Sequence, residues 1–197
     1  KKTDDTPFGG GAGMVMSAQP VFDALRSVDA QDKRILYMSP RGRKLDRDLV
    51  TDLAAEENLV ILCGHYEGID ERIIDFWKPE EISIGDYILT GGELAAMVVV
   101  DAVARMIPSV LGNQESHMEE SVYSGLIEYP QYTKPRVYEE MEVPEVLLSG
   151  NHKLIHLWKF EKACEITKER RPDLWEAFVR DLSGLTKDER KIVARLR

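Results

Sequence analysis

Three times in its first half the chain makes a short apolar run and then breaks at once into glycine and charge. The runs are Arg34–Met38, Leu59–Cys63 and Glu81–Ile84. They are too short for helices and are bounded by turn residues, so they read as buried strands. Helical periodicity fills the spaces between and after them. In Lys44–Glu57 the apolar residues Leu45, Leu49, Leu53 and Ala54 fall on one helix face. Ile69–Trp77 predicts a shorter helix. Gly91–Met106 predicts the strongest one, with Thr90 as cap and Glu93 three residues later completing a capping box. From Leu94 to Val100 it is apolar almost all round, which predicts burial or a place in a subunit interface. Strands alternating with helices imply an α/β fold: a mostly parallel sheet covered by helices.

The second half has a different texture. Residues 112–124 are polar and aperiodic and read as a linker. An extended piece follows, marked by Pro130, Pro135 and Pro144. Ser149 offers a cap for a long helix over Asn151–Arg170, another helix starts after Pro172, and a last one covers Lys187–Leu196 with Thr186 and Glu189 as a capping box. The expected organisation is an α/β domain over 1–111, the linker over 112–124, and a small helical domain over 125–197. At the other end, Asp4-Asp5-Thr6-Pro7 passes directly into glycines, and three parallel strands make a thin sheet. One or two strands and a helix are therefore expected before Lys1.

Composition excludes several classes. In 197 residues, 43% are apolar, enough for a buried core. The longest apolar stretch, around Leu94–Val100, is interrupted by Asp101 and Arg105, so no membrane span is expected. The start, Lys1-Lys2-Thr3-Asp4-Asp5, has no apolar signal core. Two cysteines, Cys63 and Cys164, lie far apart without metal-ligand spacing. These features together predict a cytoplasmic protein. The net charge of −9 argues against nucleic acid, but Gly150–Arg197 carries 12 basic against 8 acidic residues. That basic tail suits phosphate contacts, or it is a solvated helical surface.

Chemistry concentrates where strands end. Gly9-Gly10-Gly11-Ala12-Gly13 lets backbone amides approach a ligand, yet it lacks the Gly-Lys-Ser/Thr of a P-loop and the preceding strand of a dinucleotide fingerprint. It is equally a flexible turn. Ser39–Arg43, Cys63–Arg72 and Ile84–Glu93 each follow a strand, where open α/β sheets bind ligands. One such loop is an ordinary turn, but three predict a convergent pocket. Gly64, Gly85, Gly91 and Gly92 permit close backbone approach to an adenosine-like ligand, and Ile88 and Leu89 can flank a flat base. No nucleophile–base set is evident, and His65 and His117 are isolated. Glu115, Glu119 and Glu120 form an acidic run in the linker: a solvated stretch, or a source of a general base if that loop folds over substrate.

These blocks together resemble the bacterial tRNA (guanine-N1)-methyltransferases. The resemblance rests on Asp4–Met14, Ser39–Arg43, Gly64–Arg72 and Ser83–Glu93. It extends through Ile107–Gly112, Pro130–Pro135 and Val143–His152 and so covers nearly the whole chain. The family's first strand and helix find no counterpart before Lys1.

The resemblance implies a SPOUT-type fold with a deep trefoil knot, which spacing alone cannot reveal. It also implies a homodimer with active sites across the interface, S-adenosylmethionine as methyl donor with Mg2+ as an assisting ion, and tRNA as partner. The product is 1-methylguanine on the 3′ side of the anticodon. By motif, the donor is held by Tyr37, Met38, Ser39 and Pro40, by Gly64 and Tyr66, and by Ile84, Gly85, Asp86, Tyr87, Ile88, Leu89, Gly91 and Gly92. Gly10 and Glu67 read the guanine, with Ser116 as a further substrate contact. Arg105 supports the guanine carbonyl oxygen as charge grows there, where the alternative is a partner for the helix C-terminus. The general base falls on Glu120, a departure from the aspartate usual in the family. Three rivals remain: a related knotted methyltransferase with another RNA target, an inactive RNA- or nucleotide-binding module, and a nicotinamide dehydrogenase, for which no strand–Gly-x-Gly-x-x-Gly–helix unit is present.

Overall fold

The alternation Ile35-Leu36-Tyr37-Met38 sets the layers of the fold. Successive strand residues face opposite sides of a sheet. Leu36 and Met38 pack into one core cluster, Ile35 and Tyr37 into another. The strand that carries them is the centre of a three-stranded parallel sheet in a computed structural model that describes residues 2–108, 110 and 124–197. The chain forms two compact units, residues 1–112 and 113–197.

In the first unit, β1 (Asp4–Asp5) and β2 (Val15–Met16) form an antiparallel hairpin, followed by α1 (Ala18–Ser27). The sheet then builds from β3 (Arg34–Lys44), β4 (Leu59–Leu62) and β5 (Glu80–Ser83), in the order β4-β3-β5. Helices α2 (Arg47–Leu53) and α4 (Glu93–Met106) cover the Leu36/Met38 face with Leu49, Leu53, Val99 and Val103. Helices α1 and α3 (Glu71–Trp77) cover the other with Val21, Leu25 and Ile73. A parallel sheet buried on both faces is the arrangement that the alternation of elements predicts.

Several local expectations change. Helix α1 adds an element to those the sequence analysis places, with Val21, Phe22 and Leu25 at helical spacing and Ser17 at its N-cap. Helix α2 begins at Arg47 rather than Lys44, because the Asp46 carboxylate accepts from the Leu49 N–H at 2.9 Å and fixes the first turn there. The largest change is in β3, which continues to Lys44 instead of stopping at Met38. Ile82 of β5 is paired by Met38 and again by Arg43, so residues 39–42 bulge between two stretches of one ladder. Gly42 is pressed against the Glu81 backbone, and any Cβ there would overlap the Glu81 carbonyl.

The capping box expected at α4 does not form. Gly92 is the N-cap and makes no side-chain cap bond. Glu93 therefore stands at the first helical position, and its carboxylate bonds His65 instead. Nor is α4 buried all round. Ala95, Val99 and Val103 are buried, while Leu94 is 58% and Met97 66% exposed.

The second unit holds a small hairpin, β6 (Val137–Tyr138) with β7 (Met141–Glu142), and helices α5 (Glu145–Leu148), α6 (His152–Arg170), α7 (Pro172–Phe178) and α8 (Lys187–Leu196). The cap of α6 is Asn151, which accepts from the Leu154 N–H at 3.2 Å, and not Ser149. Ser149 instead donates to the Val146 carbonyl and closes α5. The core gathers Leu126, Cys164, Trp175 and Val193. Buried Thr167 ties the incoming chain to α6 by accepting from the Ile127 N–H at 2.8 Å. At α8 the capping box forms in full. Thr186 accepts from the Glu189 N–H, and Glu189 accepts from the Thr186 N–H.

Candidate functional site

The three strand-end loops meet. They enclose a cavity of about 490 Å³ at the carboxyl ends of β3, β4 and β5, within the size range of small-molecule sites. Tyr37–Arg41 supply one wall. Gly64–Ile69 and Glu71 supply the second. Ile82–Gly85, Tyr87–Gly92 and Ala95 supply the third.

Glycines set how closely the walls approach. A Cβ on Gly64 would lie 3.0 Å from the Tyr37 ring, one on Gly85 2.5 Å from the Tyr87 ring, and one on Gly92 2.8 Å from the Cys63 Cα. Gly85 also has φ +151°, within the region that favours glycine. Tyr66 adopts a left-handed φ of +59° although it has a side chain. Such strain in a cavity wall is a recurrent mark of functional loops.

Hydrogen bonds pin the walls from behind. Ser39 Oγ accepts from the Arg41 N–H at 3.2 Å, and buried Ser83 Oγ accepts from the Gly85 N–H at 3.2 Å. The second and third walls are laced together: the Gly92 N–H donates to the Gly64 carbonyl at 2.9 Å, His65 bridges Gly91 through the backbone, and the His65 ring bonds the Glu93 carboxylate. That bond from His65 holds the Glu93 carboxyl below its ordinary value. Burial, aided by the Glu93 charge, raises the Cys63 thiol, which disfavours a reactive thiolate. Burial also raises the Tyr37 hydroxyl, with the Glu81 carboxylate adding to it.

The lining has two characters. Ile84, Tyr87, Ile88 and Leu89 give an apolar flank, with Ile88 77% exposed. Arg41, Glu67 and Glu71 give a charged one. A small ligand with an apolar part and a charged end fits that division, and the glycines let it come close to the backbone.

Of the residues expected to hold the donor, Tyr37, Met38, Ser39, Pro40, Gly64, Tyr66, Ile84, Gly85, Tyr87, Ile88, Leu89, Gly91 and Gly92 all line the cavity, as does Glu67. Asp86 does not. Its side chain turns to solvent and reaches Lys44 Nζ at 3.5 Å. Gly10 is exposed at the hairpin loop with φ +80° and no neighbour near its Cα hydrogens, outside the lining. That loop nevertheless docks beside the second wall, because the Glu67 N–H donates to Met14 and the Met16 N–H to Gly68. Arg105 is half-buried in the last turn of α4, about 15 Å along the helix from Ala95 and not in the lining. Glu120 and Ser116 lie outside the described residues. The lining adds Arg41, His65 and Glu71, which stand inside the motifs but carry no signal in sequence that they face inward. No three His, Cys, Asp or Glu side chains gather as a metal site among the described residues.

The family model described as tRNA (Guanine-1)-methyltransferase TrmD matches residues 1–177, which include every wall of this cavity. The chain belongs to the TrmD family. Among curated TrmD-family relatives named tRNA (guanine-N(1)-)-methyltransferase, that of Clostridium acetobutylicum is 51% identical over 98% of this chain and 78% of its own length. That of Alkaliphilus metalliredigens is 52% identical over 100% of this chain and 79% of its own length. That of Pelagibacter ubique is 51% identical over 90% and 78%. Identity at this level extends well beyond the glycine loops to the helical second unit.

Proposed function

We propose that this chain methylates N1 of a guanine in tRNA, at the base on the 3′ side of the anticodon, with S-adenosylmethionine as donor. The observation that carries this reading is the convergence of three glycine-bearing strand ends on one cavity in a chain of the TrmD family. When bound, the donor supplies an electrophilic methyl group on sulfonium. Ile84, Ile88 and Leu89 would flank its base, and Tyr37–Pro40 would hold it from the neighbouring wall. Glu67 accepts hydrogen bonds from the guanine N–H edge, with Gly10 and Ser116 as further substrate contacts. The Glu120 carboxylate takes the N1 proton, which readies N1 for the methyl group that the donor would give up on leaving as a neutral thioether. Arg105 steadies the guanine oxygen as negative charge develops.

Arg105 is remote from its own chain's cavity, which supports its assignment to the cavity of a second copy. The exposed apolar residues Leu94, Met97 and Val98 on α4 support the same homodimer. The double pairing of β5 with β3 around residues 39–42, and the tight seat of Gly42, support the knotted SPOUT arrangement. In this reading the 1–111 region binds the donor, 112–124 links, and 125–197 binds tRNA with its basic helices. Mg2+ is an assisting ion to which no step is assigned. A cytoplasmic location fits the substrate, and no helix among the described residues is long and apolar enough to cross a membrane.

The test is methyl transfer to unmodified tRNA followed by nucleoside analysis. The expected product is 1-methylguanosine, lost when the target guanine is replaced. A methylated base elsewhere points to a related enzyme with another target, and donor binding without turnover points to an inactive RNA-binding module. Glu120→Gln is expected to slow single-turnover transfer by about a hundredfold or more. An unchanged rate removes Glu120 as base.

A further inference from the structure

We propose that Arg41 and Glu71 form a zwitterion reader that holds the α-amino-acid end of the donor, Arg41 taking its carboxylate and Glu71 its ammonium. The inference rests on the donor reading above and adds two residues to it.

Arg41 is the only lysine or arginine among the described residues that line the cavity. Its guanidinium is held on one edge, where Nε donates to Glu81 at 3.3 Å, and Glu81 is the more buried partner, 23% exposed. On the other edge Nη2 reaches Glu71 only at 3.5 Å, and both of those side chains are more than half exposed. Glu81 thus aims the guanidinium, while the Arg41–Glu71 contact is long, wet and weak.

An opposed cation and anion side by side on a cavity wall complement one small group in particular: a zwitterion. Insertion of an amino-acid terminus replaces one loose ion pair by two closer ones. Arg41 keeps Glu81 as its buried-side partner, and the second carboxylate of the cluster, Glu71, gains the incoming ammonium as its cation. A planar guanidinium matches a carboxylate bidentately. Position agrees with charge. Arg41 directly follows Tyr37–Pro40, and Glu71 opens α3 just beyond Gly64–Ile69, whereas the base-sized apolar lining belongs to Ile84–Leu89. With the base among the apolar residues, the charged tail is left to the walls that carry Arg41 and Glu71.

Two probes separate this from a structural role. S-adenosylhomocysteine carries the amino-acid terminus, and 5′-methylthioadenosine keeps the adenosine and sulfur but lacks it. Calorimetric titration of each into the full chain is compared for wild type, Arg41→Gln and Glu71→Gln. Each variant is expected to weaken S-adenosylhomocysteine by about tenfold, one charge-assisted hydrogen bond's worth, and to leave 5′-methylthioadenosine unchanged. Arg41→Lys is expected to recover part of the loss. Equal weakening of both probes, or no weakening of either, overturns the proposal while the donor reading stands. A wild-type chain that binds neither probe overturns the donor reading and this inference with it.

Discussion

The same four-residue signal occurs twice, and the two copies end differently. Thr186-Lys187-Asp188-Glu189 opens α8, and threonine and glutamate exchange backbone hydrogen bonds as a complete box. Thr90-Gly91-Gly92-Glu93 precedes α4, where the helix starts at Glu93 and that carboxylate reaches across to His65. At α8 the intervening residues carry side chains, and the glutamate serves two partners at once, keeping Thr186 on Oε2 while its other oxygen bonds the His156 ring. At α4 they are glycines, and Gly92 sits so close to Cys63 and Gly64 that its amide bonds the Gly64 carbonyl. The second unit uses the signal to stabilise a helix. The first unit diverts it to join two walls of a cavity and leaves the helix start uncapped. Local stability is relinquished where chains must converge around a ligand, a trade general to functional sites.

Matched substitutions break or sharpen this contrast. The largest effect is expected from Gly92→Ala, whose Cβ would press on backbone at 2.8 Å. Urea unfolding should show a loss of about 2–3 kcal/mol, and donor affinity should fall with it. The matched Asp188→Ala, a partly exposed site whose ion pairs with Lys153 and Lys191 lie at the surface, should cost about 0.5 kcal/mol or less. If the two costs are equal, the close approach at Gly92 does not govern the first unit. Next comes the threonine pair. Thr186→Ala should cost about 1 kcal/mol, the usual price of a lost cap, and Thr90→Ala close to nothing, by the same measurement. Equal losses would mean that Thr90 caps α4 after all.

The smallest effect is a pH dependence. Burial alone would raise the Glu189 carboxyl, but hydrogen bonds from Thr186 and His156 outweigh it and hold it below its ordinary value. A lowered folded-state pKa adds stability that is present above the unfolded value, near ~4.3, and fades as pH falls through the folded one. The urea midpoint of Glu189→Gln should therefore change less than wild type between neutral pH and the acid side of that range. A parallel pH response in both proteins would remove Glu189 from the account.

Much of the architecture was legible because it depends on near neighbours. The short apolar runs and the helices between them announce a sheet covered on two faces, and Thr186 with Glu189 announces a helix start that forms as expected. The glycines at the strand ends pointed to a cavity, and most residues named for it line it. Asp86 sits in the right loop but faces Lys44, because a loop residue's direction depends on backbone angles that composition does not encode. Arg105 carried a motif but no distance, and its place at the far end of α4 came only from the helix's position against the sheet.

The sequence by itself determined the order of the three sheet strands and of the helices from α2 onward, the two-faced sheet and the identity of the loops that gather at its carboxyl edge. These follow from spacings of two to four residues, over which side chains on one element are already neighbours. Only the tertiary structure decided that β3 runs on to Lys44 around β5, that Gly42 must lack a side chain, that Glu93 serves His65, and that Arg41 meets Glu71 and Glu81. Those partners lie 28 to 44 residues apart. Contacts of that separation arise from how whole elements pack, and a local pattern carries no record of them.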